Sequence, residues 1–159
     1  MDRFAQFATA ATLEALGQAK FTIDESNRDR VGILIGSGIG GINTMLAEVE
    51  TLRERGPDRV SPFLIPMMIS DSAAGMIAIR VGARGPNMSI ATACATGTNA
   101  VGEAAEMIRR GAADVMIAGG AEGALVPITM AGMNVIGALS TRNDDPQGAS
   151  RPFDKDRDG

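Results

Sequence analysis

A chain of 159 residues with 45% hydrophobic content is long and apolar enough for one folded domain with its own core. The net charge of -4 and a pI near 4.8 speak against a nucleic-acid partner, because a phosphate footprint needs clustered Lys and Arg, and here the arginines alternate with Asp and Glu. One cysteine and no histidine exclude an internal disulfide and a Cys/His zinc site, so the composition reads as intracellular, with no metal.

The opening residues, MDRFAQFATAATLEALGQAK, carry Asp2, Arg3 and Glu14 and lack an unbroken apolar run, so they resemble neither a secretory signal nor a membrane span. Phe4, Phe7, Ala8, Ala11, Ala15 and Ala19 recur at helical spacing and predict an amphipathic helix. Val31 to Ile35 is an apolar run of strand length, followed by Gly36, Gly38, Gly40 and Gly41. A helix is expected over INTMLAEVETLRERG, ending near Gly56 and Pro57, and SPFLIP then reads as a rigid loop. Between Pro66 and Ile79 the spacing of Met68, Ser72, Gly75 and Ile79 predicts a helix of small residues. Met88 to Ala93 is expected as a strand, Thr98 to Arg110 as a helix stopped by Gly111, and Val115 to Ala118 as a further strand. This strand, helix, strand unit, joined to Val31 to Ile35, implies an α/β fold with a parallel or mixed sheet covered by helices. From Ser140 onward polar and charged residues dominate.

Two motifs bear on chemistry. GSGIGG, Gly36 to Gly41, follows a strand and formally matches the dinucleotide fingerprint G-x-G-x-x-G. The second strand ending in an acidic ribose ligand is missing, because that window is the charged, Pro-broken TLRERGPDR. Glycines that let the backbone pass close to another element, or the wall of a pocket for something other than a nucleotide, explain the motif without a cofactor.

The other motif is SIATACATGT around Cys94. An unpaired cysteine is often an inert core thiol. At the turn from a strand into a helix it also lies near unpaired backbone N–H groups, whose positive potential favours a thiolate and the oxygen charge of a tetrahedral thioester intermediate. Ala91, Ala93, Ala95, Gly97 and Ala100 keep the surroundings narrow. Both readings of Cys94 stand on pattern alone.

The stretch GPNMSIATACATGTNAVGEAAEMIRRGAADVMIAGGAE, followed by ALSTRNDDPQGASRPFDKDRDG, resembles the first half of the beta-ketoacyl-acyl-carrier-protein synthases, in particular the type II elongating enzymes of fatty-acid synthesis. The likeness extends back through SPFLIP and VGILIGSGIGG to the opening helix and covers nearly all residues 1 to 159. It implies a thiolase-like layered α/β fold with a mixed sheet, of which residues 1 to 159 form part of the N-terminal half. An initial strand region and the C-terminal half are expected to be absent.

The resemblance also implies an activity. Cys94 takes the place of the nucleophile that accepts an acyl chain from acyl-carrier protein. Malonyl-carrier protein then loses carbon dioxide, and its carbanion attacks the thioester. Ile39 falls at the position of an acyl-pocket gate, Met133 where an aromatic side chain often lines the pocket mouth, and Leu64 where the partner subunit contributes to the far wall. Ordinary packing accounts for these three equally well. No cofactor, nucleic acid or membrane is implied. The expected partners are acyl-carrier protein bearing acyl or malonyl groups and a second copy of the intact enzyme, in the cytoplasm or a plastid stroma.

The family's two catalytic histidines and supporting lysine have no counterpart here, so these residues alone are expected to be inactive in condensation. Alternatives are a polyketide ketosynthase domain and a noncatalytic subunit that shapes a partner's acyl pocket. Retention of Cys94 argues against the second of these. A thiolase using coenzyme A fits less well than either.

Overall fold

The computed structural model describes residues 1–159, which divide into two compact units, Met1–Ala124 and Leu125–Gly159. In the first unit, helix α1 (Arg3–Ala19) leads to strand β1 (Val31–Gly36) and helix α2 (Ile42–Arg55). Helices α3 (Leu64–Met68) and α4 (Ser72–Val81) follow, then the short strand β2 (Asn87–Met88), helix α5 (Thr96–Arg109) and strand β3 (Val115–Gly120).

The three strands form a sheet in the order β2-β1-β3, and both pairings are parallel. Of the two arrangements the strand pattern allowed, these strands adopt the parallel one. β1 is central and every one of its residues is buried, which explains an apolar run without alternation. Its side chains still obey the period of two. Ile33 and Ile35 pack with Phe4, Ala5 and Ala8 of α1 and Ala73, Ala74 and Ile77 of α4, while Leu34 packs on the opposite face with Ala100 and Met107 of α5. Helices therefore cover both faces of β1. Fully burying one of these large apolar side chains contributes about 1.5–3 kcal/mol, whereas the alanines chiefly let the layers approach.

The opening helix differs in detail from its sequence pattern. Its buried face is Phe4, Ala5, Ala8 and Thr12, while Phe7 is half exposed and lies beneath the Arg3 guanidinium, 4.7 Å from ring centre to Cζ. Asp2 caps the helix and is itself buried.

Two expectations need correction. Residues 66–79 are not one helix: α3 begins at Leu64, inside the expected SPFLIP loop, and Ile69 adopts an extended ψ of 144° before α4 starts at Ser72. Ile79, placed on the packed face by spacing, is 86% exposed, and the face that packs is Ser72, Ala73, Ala74 and Ile77. Second, the strand expected over Met88 to Ala93 pairs only at Asn87 and Met88. The carbonyl of Ile90 occupies the position that a Cβ on Gly36 would take, so the chain leaves the ladder and crosses the face of β1. Ser89 meanwhile donates to the carbonyl of Ser70 at 3.4 Å.

The second unit contains helix α6 (Pro127–Val135) and the short helix α7 (Pro146–Ala149). Pro127 at the first turn needs no N–H partner, and Gly137 follows the helix at φ 71°. Asp158 closes this unit on itself. It accepts from Thr141 N and Ser140 Oγ, each at 2.8 Å, and pairs with Arg142 at 3.2 Å. These donors, the Thr141 amide first, hold its carboxyl below the usual value.

Candidate functional site

Cys94 is exposed and sits in a 3₁₀ turn, Ala93–Ala95, immediately before α5. The turn is sharp because Ala93 takes a left-handed φ of 50°, which a side chain with Cβ rarely adopts. Thr96, buried at the start of α5, holds it: the Thr96 hydroxyl accepts from Thr92 N at 2.9 Å and donates to the Ala93 carbonyl at 2.7 Å. One side chain thus ties both residues preceding Cys94.

The helix beginning here has no side-chain cap. The positive end of the α5 dipole therefore lies beside the thiol. That placement suits stabilisation of negative charge developing on a thioester oxygen.

Two glycine approaches bring the neighbouring loops to this turn. A methyl group on Gly38 would stand 3.8 Å from Ala93 Cα and from its carbonyl oxygen, so the GSGIGG loop passes next to the residue preceding Cys94. On the other side, one built on Gly97 would meet Gly120 N at 3.5 Å, which sets the first turn of α5 against the end of β3.

The GSGIGG loop does not offer a phosphate cradle. The Glu122 carboxylate accepts from Gly38 N at 2.9 Å, Ile39 N at 3.1 Å and Ser37 Oγ at 3.2 Å, and Ser37 Oγ in turn accepts from Gly40 N at 2.8 Å. Asp2 takes Thr44 N at 2.7 Å in the first turn of α2. Two carboxylates of the chain itself thus occupy the donors that a pyrophosphate would use. Gly40 and Gly41 instead let the loop pass α3, with Gly41 N donating to the Met68 carbonyl at 2.9 Å. Close backbone approach is what these glycines provide.

The four residues singled out from the sequence are not equally placed. Ile39 follows Gly38 on the loop beside Ala93 and is 49% exposed. Leu64, half-buried, begins α3, whose far end at Met67 and Met68 meets Gly40 and Gly41. Cys94, Ile39 and Leu64 thus belong to one unit. Met133 is half exposed in α6 and belongs to the second unit. Thr96, Ser37 and Glu122 were not singled out, although each is tied to this site. A threonine two residues after a cysteine and a glutamate two after a Gly-Gly strand end carry no local signal; their partners lie across turns that spacing does not disclose. No group of three or more acidic, Cys or His side chains is placed to hold a metal ion, and no helix is long and apolar enough to cross a membrane.

A parallel sheet between helical layers, with an exposed cysteine on a left-handed turn at a helix start, is the architecture of a thiolase-like protein. The chain belongs to the beta-ketoacyl synthase family: residues 1–159 match the family model described as "Beta-ketoacyl synthase, N-terminal domain". It is 52% identical to a 3-oxoacyl-acyl-carrier-protein synthase 2 of Synechocystis and 51% identical to one of Vibrio cholerae, each over 159 residues. All of this chain aligns with 38% of either relative's length. Among solved structures, a beta-ketoacyl synthase from Burkholderia phymatum superposes with a TM-score of 0.85 at 34% identity, over 100% of this chain and 39% of that one. A polyketide ketosynthase, bound to the hexaketide and in complex with its acyl-carrier protein, gives 0.88 at 32% identity over 100% and 40%.

Proposed function

We infer that this domain supplies the acyl-accepting nucleophile of a 3-oxoacyl-acyl-carrier-protein synthase of fatty-acid elongation, and that residues 1–159 form the N-terminal part of that enzyme. The observation that carries the reading is Cys94 exposed on the turn fixed by Thr96. Its thiolate attacks the carbonyl carbon of acyl-carrier-protein thioester, an S–C bond forms, and the carrier thiolate leaves and takes up the proton lost by Cys94. The Cys94 N–H and the start of α5 face the oxygen that becomes negative. In the second half-reaction, malonyl-carrier protein loses carbon dioxide, and the electron pair left behind forms the new C–C bond as Cys94 departs as thiolate. The family resemblance assigns the stabilisation of that carbanion to histidines, which this chain does not contain.

In the intact enzyme Ile39 acts in this reading as the gate of the acyl pocket, Met133 holds the position of the pocket mouth, and Leu64 is the contribution of one subunit to the far wall of its partner's pocket. The working enzyme is a cytoplasmic or plastid homodimer that takes its substrates from acyl-carrier protein. Identity of 52% over the whole chain to a 3-oxoacyl-acyl-carrier-protein synthase 2 supports this reading. A pocket-shaping subunit has no use for an exposed thiol on a built turn.

Treatment of the full-length protein with a thiol-directed acyl analogue, followed by peptide mass mapping, tests the assignment. Modification is expected at Cys94, and Cys94→Ala is expected to abolish acyl transfer with little change in stability. A folded protein that transfers acyl groups with Cys94 unmodified would overturn it.

A further inference from the structure

We propose that Glu122 is a positioning residue that tethers the Ile39 loop beside Cys94 and thereby sets which acyl-chain lengths are accepted, an inference that rests on the thioester reading of Cys94 and on Ile39 as the gate of the acyl pocket. The tether starts from the sheet. Gly36 of β1 stands opposite Gly120 of β3, and the Ala121 amide donates to the Gly36 carbonyl at 3.0 Å. That extra bond continues the register one residue past the strand and delivers Glu122 to the loop that leaves β1. Its two oxygens then divide the loop between them: Oε2 accepts from Gly38 N and Ile39 N, and Oε1 accepts from the buried Ser37 hydroxyl.

The loop has little else to fix it at this point. Gly38 and Ile39 are exposed and belong to no helix or strand, and a Cβ on Gly38 would stand at van der Waals range of Ala93. Charge-assisted hydrogen bonds from two successive amides to one carboxylate oxygen are stronger than neutral ones and define the direction of both peptides. The Ile39 backbone is therefore held relative to the cysteine turn by Glu122, and a side chain that gates a pocket is only as fixed as its backbone. A short acyl chain that ends before the gate is indifferent to this tether. A long chain that must displace Ile39 works against it.

The test compares Cys94 acylation of the full-length protein by hexanoyl and hexadecanoyl thioesters of acyl-carrier protein, together with hydrogen exchange at the Gly38 and Ile39 amides. Glu122→Ala is expected to raise the hexadecanoyl-to-hexanoyl rate ratio by about threefold or more, the size set by losing a net hydrogen bond, and to speed exchange at both amides. Glu122→Gln keeps an oxygen for the two amides, while its NH₂ faces a Ser37 oxygen with a lone pair to spare. That variant should stay near the wild-type ratio. Ser37→Ala, which removes the hydroxyl bridging Glu122 and Gly40 N, should move the ratio in the same direction as Glu122→Ala and serves if that variant does not fold. An unchanged or lower ratio, a uniform fall for both thioesters, or a Gln variant as altered as Ala would each overturn the proposal. Wild-type protein acylated by neither thioester at Cys94 would instead overturn the thioester reading itself, and the tether's role in specificity with it.

Discussion

Gly97 and Gly120 meet backbone to backbone: a methyl group on Gly120 would stand 3.0 Å from Gly97 Cα and 3.1 Å from its nitrogen. The end of β3 is thus the floor on which the first turn of α5 rests, three residues past Cys94. Neither side is a flexible side chain that could yield. Gly120→Ala is expected to cost about 1–3 kcal/mol, as overpacking does in close-packed interiors, and to slow alkylation of Cys94 by displacing the helix start. Gly119, with nothing within 4 Å of its would-be Cβ, is the control. Gly119→Ala should stay within about 0.5 kcal/mol of wild type. Denaturation midpoints and iodoacetamide rates on the full-length protein read both.

Asp2 joins two helices by one buried carboxylate, accepting from Phe4 N at 3.4 Å in α1 and from Thr44 N at 2.7 Å in α2. Replacing it by alanine removes a helix cap and leaves a second helix-start amide without its acceptor. The expected loss is about 1–3 kcal/mol. Asp2→Asn, which keeps an acceptor oxygen, should lose less, and thermal unfolding of the two variants side by side decides.

Much of the frame was legible in the sequence because it follows period and punctuation. The buried run at β1, the stop of α2 at Gly56 and the helix after Cys94 all have local causes. The breaks between α3 and α4 and beyond Met88 had none. They arise where Gly41 passes the end of α3 and where Ile90 crosses Gly36, contacts between segments distant in sequence. The site divides in the same way: Cys94 stood out as a lone thiol at a junction, whereas Thr96 and Glu122 act through hydrogen bonds that no spacing rule encodes.

Thr96→Val tests how far the cysteine turn depends on one hydroxyl. Valine preserves the shape but neither accepts from Thr92 N nor donates to the Ala93 carbonyl. Breaking such a bond while leaving its partner buried costs about 1–3 kcal/mol, and the left-handed Ala93 loses its support. Acylation of Cys94 should fall while substrate binding changes little, so kcat drops with KM nearly constant. Thr96→Ser should restore the rate.

Arg30 spans the entry to β3, donating to the Gly111 carbonyl at 2.9 Å and pairing with Asp114 at 2.7 Å. Its hydrogen bond holds the Asp114 carboxyl below the ordinary value of 3.8, against the opposing effect of desolvation, and raises the guanidinium in return. A carboxyl lowered in the folded state stabilises the fold above its unfolded value, and that contribution disappears as pH falls through the folded one. Arg30→Gln should therefore move the Asp114 titration up toward 3.8 and flatten the acid limb of stability. Carboxyl carbon chemical shifts followed against pH measure the first effect. An Asp114 titration unchanged by the substitution would show that the pair is not coupled in solution.

A polypeptide of residues 1–159 alone is expected to take an acyl group at best and not to elongate it. Holding the acyl chain needs only a nucleophile and oxyanion donors, the roles proposed above for Cys94 and the start of α5. Generating a carbanion from malonyl thioester needs donors at a second oxygen, and the family resemblance assigns these to histidines that this chain does not contain. Lysine offers no replacement: Lys20 closes α1 in a left-handed conformation and Lys155 is exposed in the second unit. An ammonium on a flexible stem also lacks the fixed geometry the step demands. Exposed apolar side chains add a physical obstacle. Ile79 is 86%, Phe63 65% and Ile65 59% exposed, so self-association of this polypeptide is expected alongside its inactivity. Expression of these residues, confirmation of mass and folding, and separate assays of carbon dioxide release and elongated product from acyl- and malonyl-carrier protein provide the check. Acylation without elongation is the expected result, and Cys94-dependent elongation by the verified 159-residue chain would refute it.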